Sequence, residues 1–83
     1  MLRTRRPSVT AVPTEFGQVL LDRRKGRYFH LNGTATTIAD SLRGGVGIED
    51  TAREISRRYE IDDATARTDV ETVDAQLREA GLL

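Results

Sequence analysis

The sequence contains no cysteine and no tryptophan, and only one methionine, one histidine and two prolines. Without cysteine there is no disulfide framework and no thiolate metal site; this composition fits a reducing cytoplasm, the expected compartment. His30 is the single histidine, so no plausible metal site can be assembled, and no serine or cysteine stands near it in a nucleophile motif. Neither a cofactor nor enzymatic activity is expected. No apolar run approaches ~18 residues, which argues against a membrane span. The basic start, Met1-Leu2-Arg3-Thr4-Arg5-Arg6-Pro7, leads into no apolar stretch and does not read as a secretory signal. Gly44-Gly45-Val46-Gly47 lacks both the Lys-Ser/Thr and the preceding strand of a phosphate loop, and reads as a link between helices.

What is present is one small domain. Of 83 residues, 37% are apolar, enough for one thin core. Net charge is zero but unevenly spread. Residues 1–31 hold seven cations and two anions, whereas 32–83 hold six cations and eleven anions. Residues 1–7 are charged and aperiodic and are expected to form a flexible arm, with a single domain over 8–83.

Three strand-like runs come first. Ser8 to Val12 is rich in β-branched residues and bracketed by Pro7 and Pro13. Gln18 to Asp22 follows Gly17, and Arg23-Arg24-Lys25-Gly26 is a polar link of hairpin length before Arg27 to Leu31. The period then changes. Ala35, Ile38, Ala39 and Leu42 share one helical face that ends at Gly44-Gly45. Ile48, Ala52, Ile55 and Tyr59 repeat the stripe behind Gly47 as N-cap, with Glu49 and Asp50 in the first turn, where the helix dipole favours anions. Asp62 caps a third helix that carries Ala66, Val70, Val73, Leu77 and Ala80 and stops at Gly81. Asn32-Gly33 would suit a hairpin, but the stripe after it makes Asn32 a helix N-cap. The expected fold is α+β and winged-helix-turn-helix-like, a three-stranded antiparallel meander followed by three helices.

In such a meander the first and third strands are edges. Pro7 and Pro13 lack N–H groups and blunt the first; the third contains no proline. Alternation puts Phe29 and Leu31 on the core face and Tyr28 and His30 on the other. A third helix of about 19 residues, ~28 Å long, would lie alongside this strand and leave a groove with main-chain groups on one wall and apolar side chains on the other. An extended peptide suits that groove. The residues alone leave open whether the edge is instead covered by the C-terminal helix or by a second copy of the chain.

The string Val19-Leu20-Leu21-Asp22 … Gly26-Arg27-Tyr28-Phe29-His30-Leu31-Asn32 resembles the PqqD-like family of peptide chaperones, in which two hydrophobic residues and Asp, then Gly-x-Tyr-x-x-Leu-Asn, precede the first helix. Ile38 and Leu42 fit the first helix, and Glu49-Asp50 with Tyr59-Glu60-Ile61-Asp62 looks like the second helix and its exit. Asp69-Val70 is similar to the third helix, and Ala80-Gly81-Leu82-Leu83 to the family's ending. The resemblance spans about residues 8–83. It implies a recognition element for ribosomally made, modified peptides (a RiPP recognition element), which binds the leader of a precursor peptide as a strand added to the third strand, beside the third helix. The implied binding residues are Arg27, Tyr28, Phe29, His30 and Leu31, with Asp69, Val70, Val73, Asp74 and Leu77. A Tyr-x-x-Pro motif of the leader would fill the groove beside Val70, Val73 and Leu77.

A discrete Arg-rich chain with one lysine looks most like the stand-alone leader-binding proteins of lasso-peptide pathways. Such a protein presents the precursor to a separate leader-cleaving cysteine protease, after which a cyclase closes the ring. The chain departs from many relatives in having Val73 where they carry an aromatic or Leu, and in Gly47 as a cap. Arg23, Arg24, Lys25 and Arg27 read as a solvated hairpin, or as a cluster that steers an acidic leader or contacts the protease. The rival readings are a winged-helix DNA-binding regulator and a generic interaction module. Over residues 62–80 the third helix holds two arginines against six acids, a sign that DNA phosphates would repel, so no nucleic-acid partner is expected.

Overall fold

A computed structural model describes residues 9–83. The expected residues 1–7 arm and Ser8, with Pro7, lie outside the described residues. The strands are β1 (Val9–Thr14), β2 (Gly17–Asp22) and β3 (Arg27–Asn32), and the helices α1 (Gly33–Arg43), α2 (Ile48–Tyr59) and α3 (Asp63–Glu79). The sheet is antiparallel throughout in the order β1-β2-β3, so the expected meander and the three helices after it are observed.

Two links set the register. Glu15-Phe16 joins β1 to β2 with Thr14 opposite Gly17, and Arg23 to Gly26 joins β2 to β3 with Asp22 opposite Arg27. The second link depends on Asp22, whose buried carboxylate accepts the N–H groups of Arg24 (3.1 Å) and Lys25 (3.3 Å). An Asp that bonds the backbone of its own turn closes the hairpin without help from water. Gly26 supplies the left-handed residue, φ 68°. Gly17 answers a tighter demand: a Cβ there would run into the Leu31 carbonyl oxygen and lie 2.8 Å from the Asn32 carbonyl carbon.

One expected boundary differs. Pro13 lies inside β1, opposite Gln18, rather than bounding it. An edge strand tolerates proline because the missing N–H can face solvent, so Pro13 blunts this edge from within.

All three helix starts follow capping chemistry. The Asn32 Oδ1 accepts the Ala35 N–H at 2.8 Å, and Gly47 precedes α2 without a side-chain bond. The Asp62 Oδ1 accepts the Thr65 N–H at 3.0 Å, and its hydrogen bonds to Thr65 hold that carboxyl below the ordinary carboxylate range. Because Asp62 and Ala80 serve as caps, α3 spans 17 residues rather than about 19. At 1.5 Å per residue that is ~26 Å.

The helices cover one face of the sheet, the face of Leu20, Phe29 and Leu31. Leu20, Ile38, Ile55 and Val70 are fully buried at the centre, with Leu77 and Ala66 beside them. Each end of β2 carries a polar group into this face: Asp22 at the hairpin, and Gln18, which donates to Asp40 Oδ1 at 3.1 Å. The other face, with Val12 and Tyr28, is largely open. Among the described residues no helix is long and apolar enough to cross a membrane.

Candidate functional site

The helical layer is uneven, and that makes a groove. The backbone of α1 runs close to β2, β3, α2 and α3, whereas that of α3 runs close to α1 and α2 only. No Cα of α3 comes within 8 Å of a Cα of β3. α1 therefore acts as a spacer, holding α3 away from an edge strand whose outer N–H and C=O groups have no strand beside them. The chain direction reverses between the two walls. Val73 and Asn32 share one end, while Gly81, just past α3, lies 3.6 Å (from its would-be Cβ) from the Lys25 Nζ at the β2–β3 hairpin.

Between the walls is an open cavity of about 380 Å³. Residues 27 to 31 of β3 form one side, and Val73, Gln76, Leu77, Glu79 and Ala80 the other. Alternation turns Arg27, Phe29 and Leu31 toward the helices. Phe29 and Leu31 are half-buried against the core, and the Arg27 guanidinium stands 5.6 Å from the centre of the Phe29 ring. The rings of Tyr28 and His30 meet edge-to-face on the opposite face, 5.4 Å apart at 82°. Tyr28 is 62% exposed, so a strand added beyond β3 would bring its own outward side chains next to this pair.

The structure brings seven of the ten expected site residues to this cavity: Arg27, Tyr28, Phe29, His30, Leu31, Val73 and Leu77. The other three stand elsewhere. Val70 is wholly buried in the core and lines neither this cavity nor the one beside Asp69. Asp74 does not line the cavity. It pairs with Arg78 at 3.1 Å, and two residues of helix place it ~160° around the axis from Gln76, which does line it. Asp69 lines a second concavity, of about 200 Å³, with Asn32, Thr34, Ala35, Ile38, Thr72 and Val73.

Gln76, Glu79 and Ala80 were not expected at the groove. The period held a signal for two of them: Gln76 and Ala80 stand three and seven residues after Val73, on its face of the helix. What hid them was the flank. Periodicity identifies the buried stripe but not which polar border of it faces an opening, and here the Thr72–Gln76–Glu79 border does.

The cations of α3 are paired within the helical layer. Arg67 pairs with Glu71 (3.1 Å) and Glu49 (3.0 Å), and Arg78 with Asp74, so both arginines of α3 are tied to carboxylates. The bonds to Glu71 and Glu49 raise the Arg67 guanidinium further above its ordinary value. Among the described residues no group of three or more His, Cys, Asp or Glu side chains is arranged to hold a metal ion.

An uncovered sheet edge, an apolar floor and a helix across the opening from the edge define a class: small α+β domains built to accept a peptide as an additional strand. Within that class, residues 17–83 match the profile of coenzyme PQQ synthesis protein D, and the chain belongs to this PqqD family. Two solved structures share the fold. The chain is similar to one described as lasso peptide synthetase B1 complexed with the leader peptide, at 36% identity and a TM-score of 0.79 over 92% of this chain and 89% of that one. It is also similar to TbiB1 in complex with the TbiA(beta) leader peptide, at 25% identity and a TM-score of 0.80 over 98% and 94%. No curated protein sequence matches the chain.

Proposed function

We propose that this protein is a RiPP recognition element that binds the leader region of a lasso-peptide precursor as a strand added to β3, in the groove beside α3. The observation that carries the reading is the gap between β3 and α3, with no Cα pair across it within 8 Å, which leaves a main-chain edge and an apolar floor facing one opening. Family membership and two similar structures solved with leader peptides support it. The protein holds its substrate and does no chemistry. It presents the leader, in the cytoplasm, to a separate leader-cleaving cysteine protease, with cyclisation following on a further enzyme. The paired arginines of α3 disfavour the DNA-binding alternative, since a reader of phosphate needs free cations on its recognition helix.

The test is fluorescence-polarisation binding of a labelled lasso-precursor leader peptide carrying a Tyr-x-x-Pro motif. The expected result is saturable binding in the nanomolar-to-micromolar range, abolished by Gln76→Trp. That change fills the groove from an exposed position without entering the core. Leader binding that ignores Gln76→Trp, or its absence alongside salt-sensitive binding of duplex DNA, would overturn the proposal.

A further inference from the structure

Resting on that reading, we infer that the Asp69 concavity is a second subsite of the groove, which takes a lysine or arginine side chain of the docked peptide. Val73 lines both cavities and forms the ridge between them, so one peptide can reach the two. The subsite joins the end of the groove where β3 gives way to α1. Its interior suits a long side chain with a charged tip. Ala35, Ile38 and Val73 offer an apolar lining for a methylene stem, and Thr34 and Thr72 add hydroxyls near the rim.

Asp69 is its sole charged lining residue. No hydrogen bond or ion pair engages the Asp69 carboxylate among the described residues, in contrast to Asp74, Glu71 and Glu49, each held by an arginine. Nor is it needed to cap α1, because Asn32 already takes the Ala35 N–H. An uncommitted carboxylate above an apolar pocket selects a cation with an aliphatic stem over a neutral or acidic side chain. At the hairpin end the charges are mixed, because Arg27 and Glu79 both line the groove there. The Asp69 cavity is lined by a carboxylate with no cation beside it, and that difference favours a peptide cation at this end.

The two cavities are lined by parts of α3 centred about five residues apart, or ~8 Å along the helix. An extended peptide covers that distance in two to three residues at ~3.3 Å each. The cation therefore stands two to three residues from the apolar side chain seated over Leu77.

The experiment is selection of a displayed random 12-residue peptide library against the wild-type chain, Asp69→Asn and Asp69→Lys, with the Gln76→Trp protein as a counter-selection for groove binding. Wild type is expected to enrich Lys or Arg at that spacing from an apolar anchor. Asp69→Asn should erase the preference and weaken selected Lys peptides by about fivefold, the upper range for an exposed ion pair. Asp69→Lys should move the enrichment to Asp or Glu at the same position. Groove-dependent peptides without charge preference there, or with one unchanged by Asp69→Lys, would overturn this inference and leave leader binding standing. A library from which no groove-dependent peptide emerges would overturn both.

Discussion

Strand addition makes a periodic prediction that few other binding modes share. β3 has six residues, and in an antiparallel sheet alternate residues direct both N–H and C=O to the same side. Three of the six therefore present their main-chain groups to the opening, and a docked strand pairs with them through every second residue of its own. N-methylation of one peptide residue removes a donor and places a methyl group where the partner strand lies. At a residue facing β3 it leaves a β3 carbonyl desolvated and unpaired, which costs about 1–3 kcal/mol, or roughly five- to 150-fold in Kd. At a residue facing away it changes Kd by about twofold or less, because that N–H already points to solvent. A scan of singly N-methylated leader peptides, each titrated by fluorescence polarisation, should alternate between strong and weak effects over about six residues. A contiguous block of equal losses, or losses at a three- to four-residue spacing, would show a helix or side-chain-only docking and refute strand addition.

Further predictions concern the scaffold. The Thr51 hydroxyl is fully buried without a hydrogen-bond partner, so Thr51→Val should raise unfolding free energy by about 1 kcal/mol in urea melts, and no gain would mean the oxygen is satisfied in solution. Gly17→Ala should lower stability by about 2 kcal/mol or more and weaken leader binding, since the added Cβ meets the Leu31 carbonyl at the base of β3; a melt within error of wild type would contradict that geometry. Asp62 has a lowered pKa in the folded state, so its stabilisation is present above the unfolded carboxyl pKa and lost as pH falls through the folded one. Asp62→Asn keeps the cap but not the titration, and should flatten the decline in stability measured by urea melts between about pH 5 and pH 2; an unchanged slope would remove Asp62 from the acid response.

Much of this fold is legible residue by residue, because its signals are local. Asn32 and Asp62 mark helix starts through bonds reaching only three residues, Gly47 marks one without a side-chain bond, and the helical stripes name Ile38, Ile55 and Val73 as inward-facing. Proline placement distinguishes the blunted edge from the open one, although Pro13 turned out to lie within β1. Likewise the PqqD-like pattern around Asp22 and Asn32 has a physical basis: one closes the hairpin and the other starts α1.

The site itself was only half legible, for reasons that are not local. A stripe on α3 shows that Val70 and Leu77 are apolar and inward, but not that Val70 is sealed while Leu77 opens onto the groove. Nor does it tell Asp74, on the far flank, from Asp69 and Gln76 on the near one. That depends on where α1 holds α3 relative to β3, a distance set by packing among three helices and the sheet. The order of elements, their caps and the open edge follow from the sequence by itself, since each rests on neighbours in the chain. The groove, its polar border and the free carboxylate at its end were decided by tertiary structure alone, because they exist only between elements far apart in the chain.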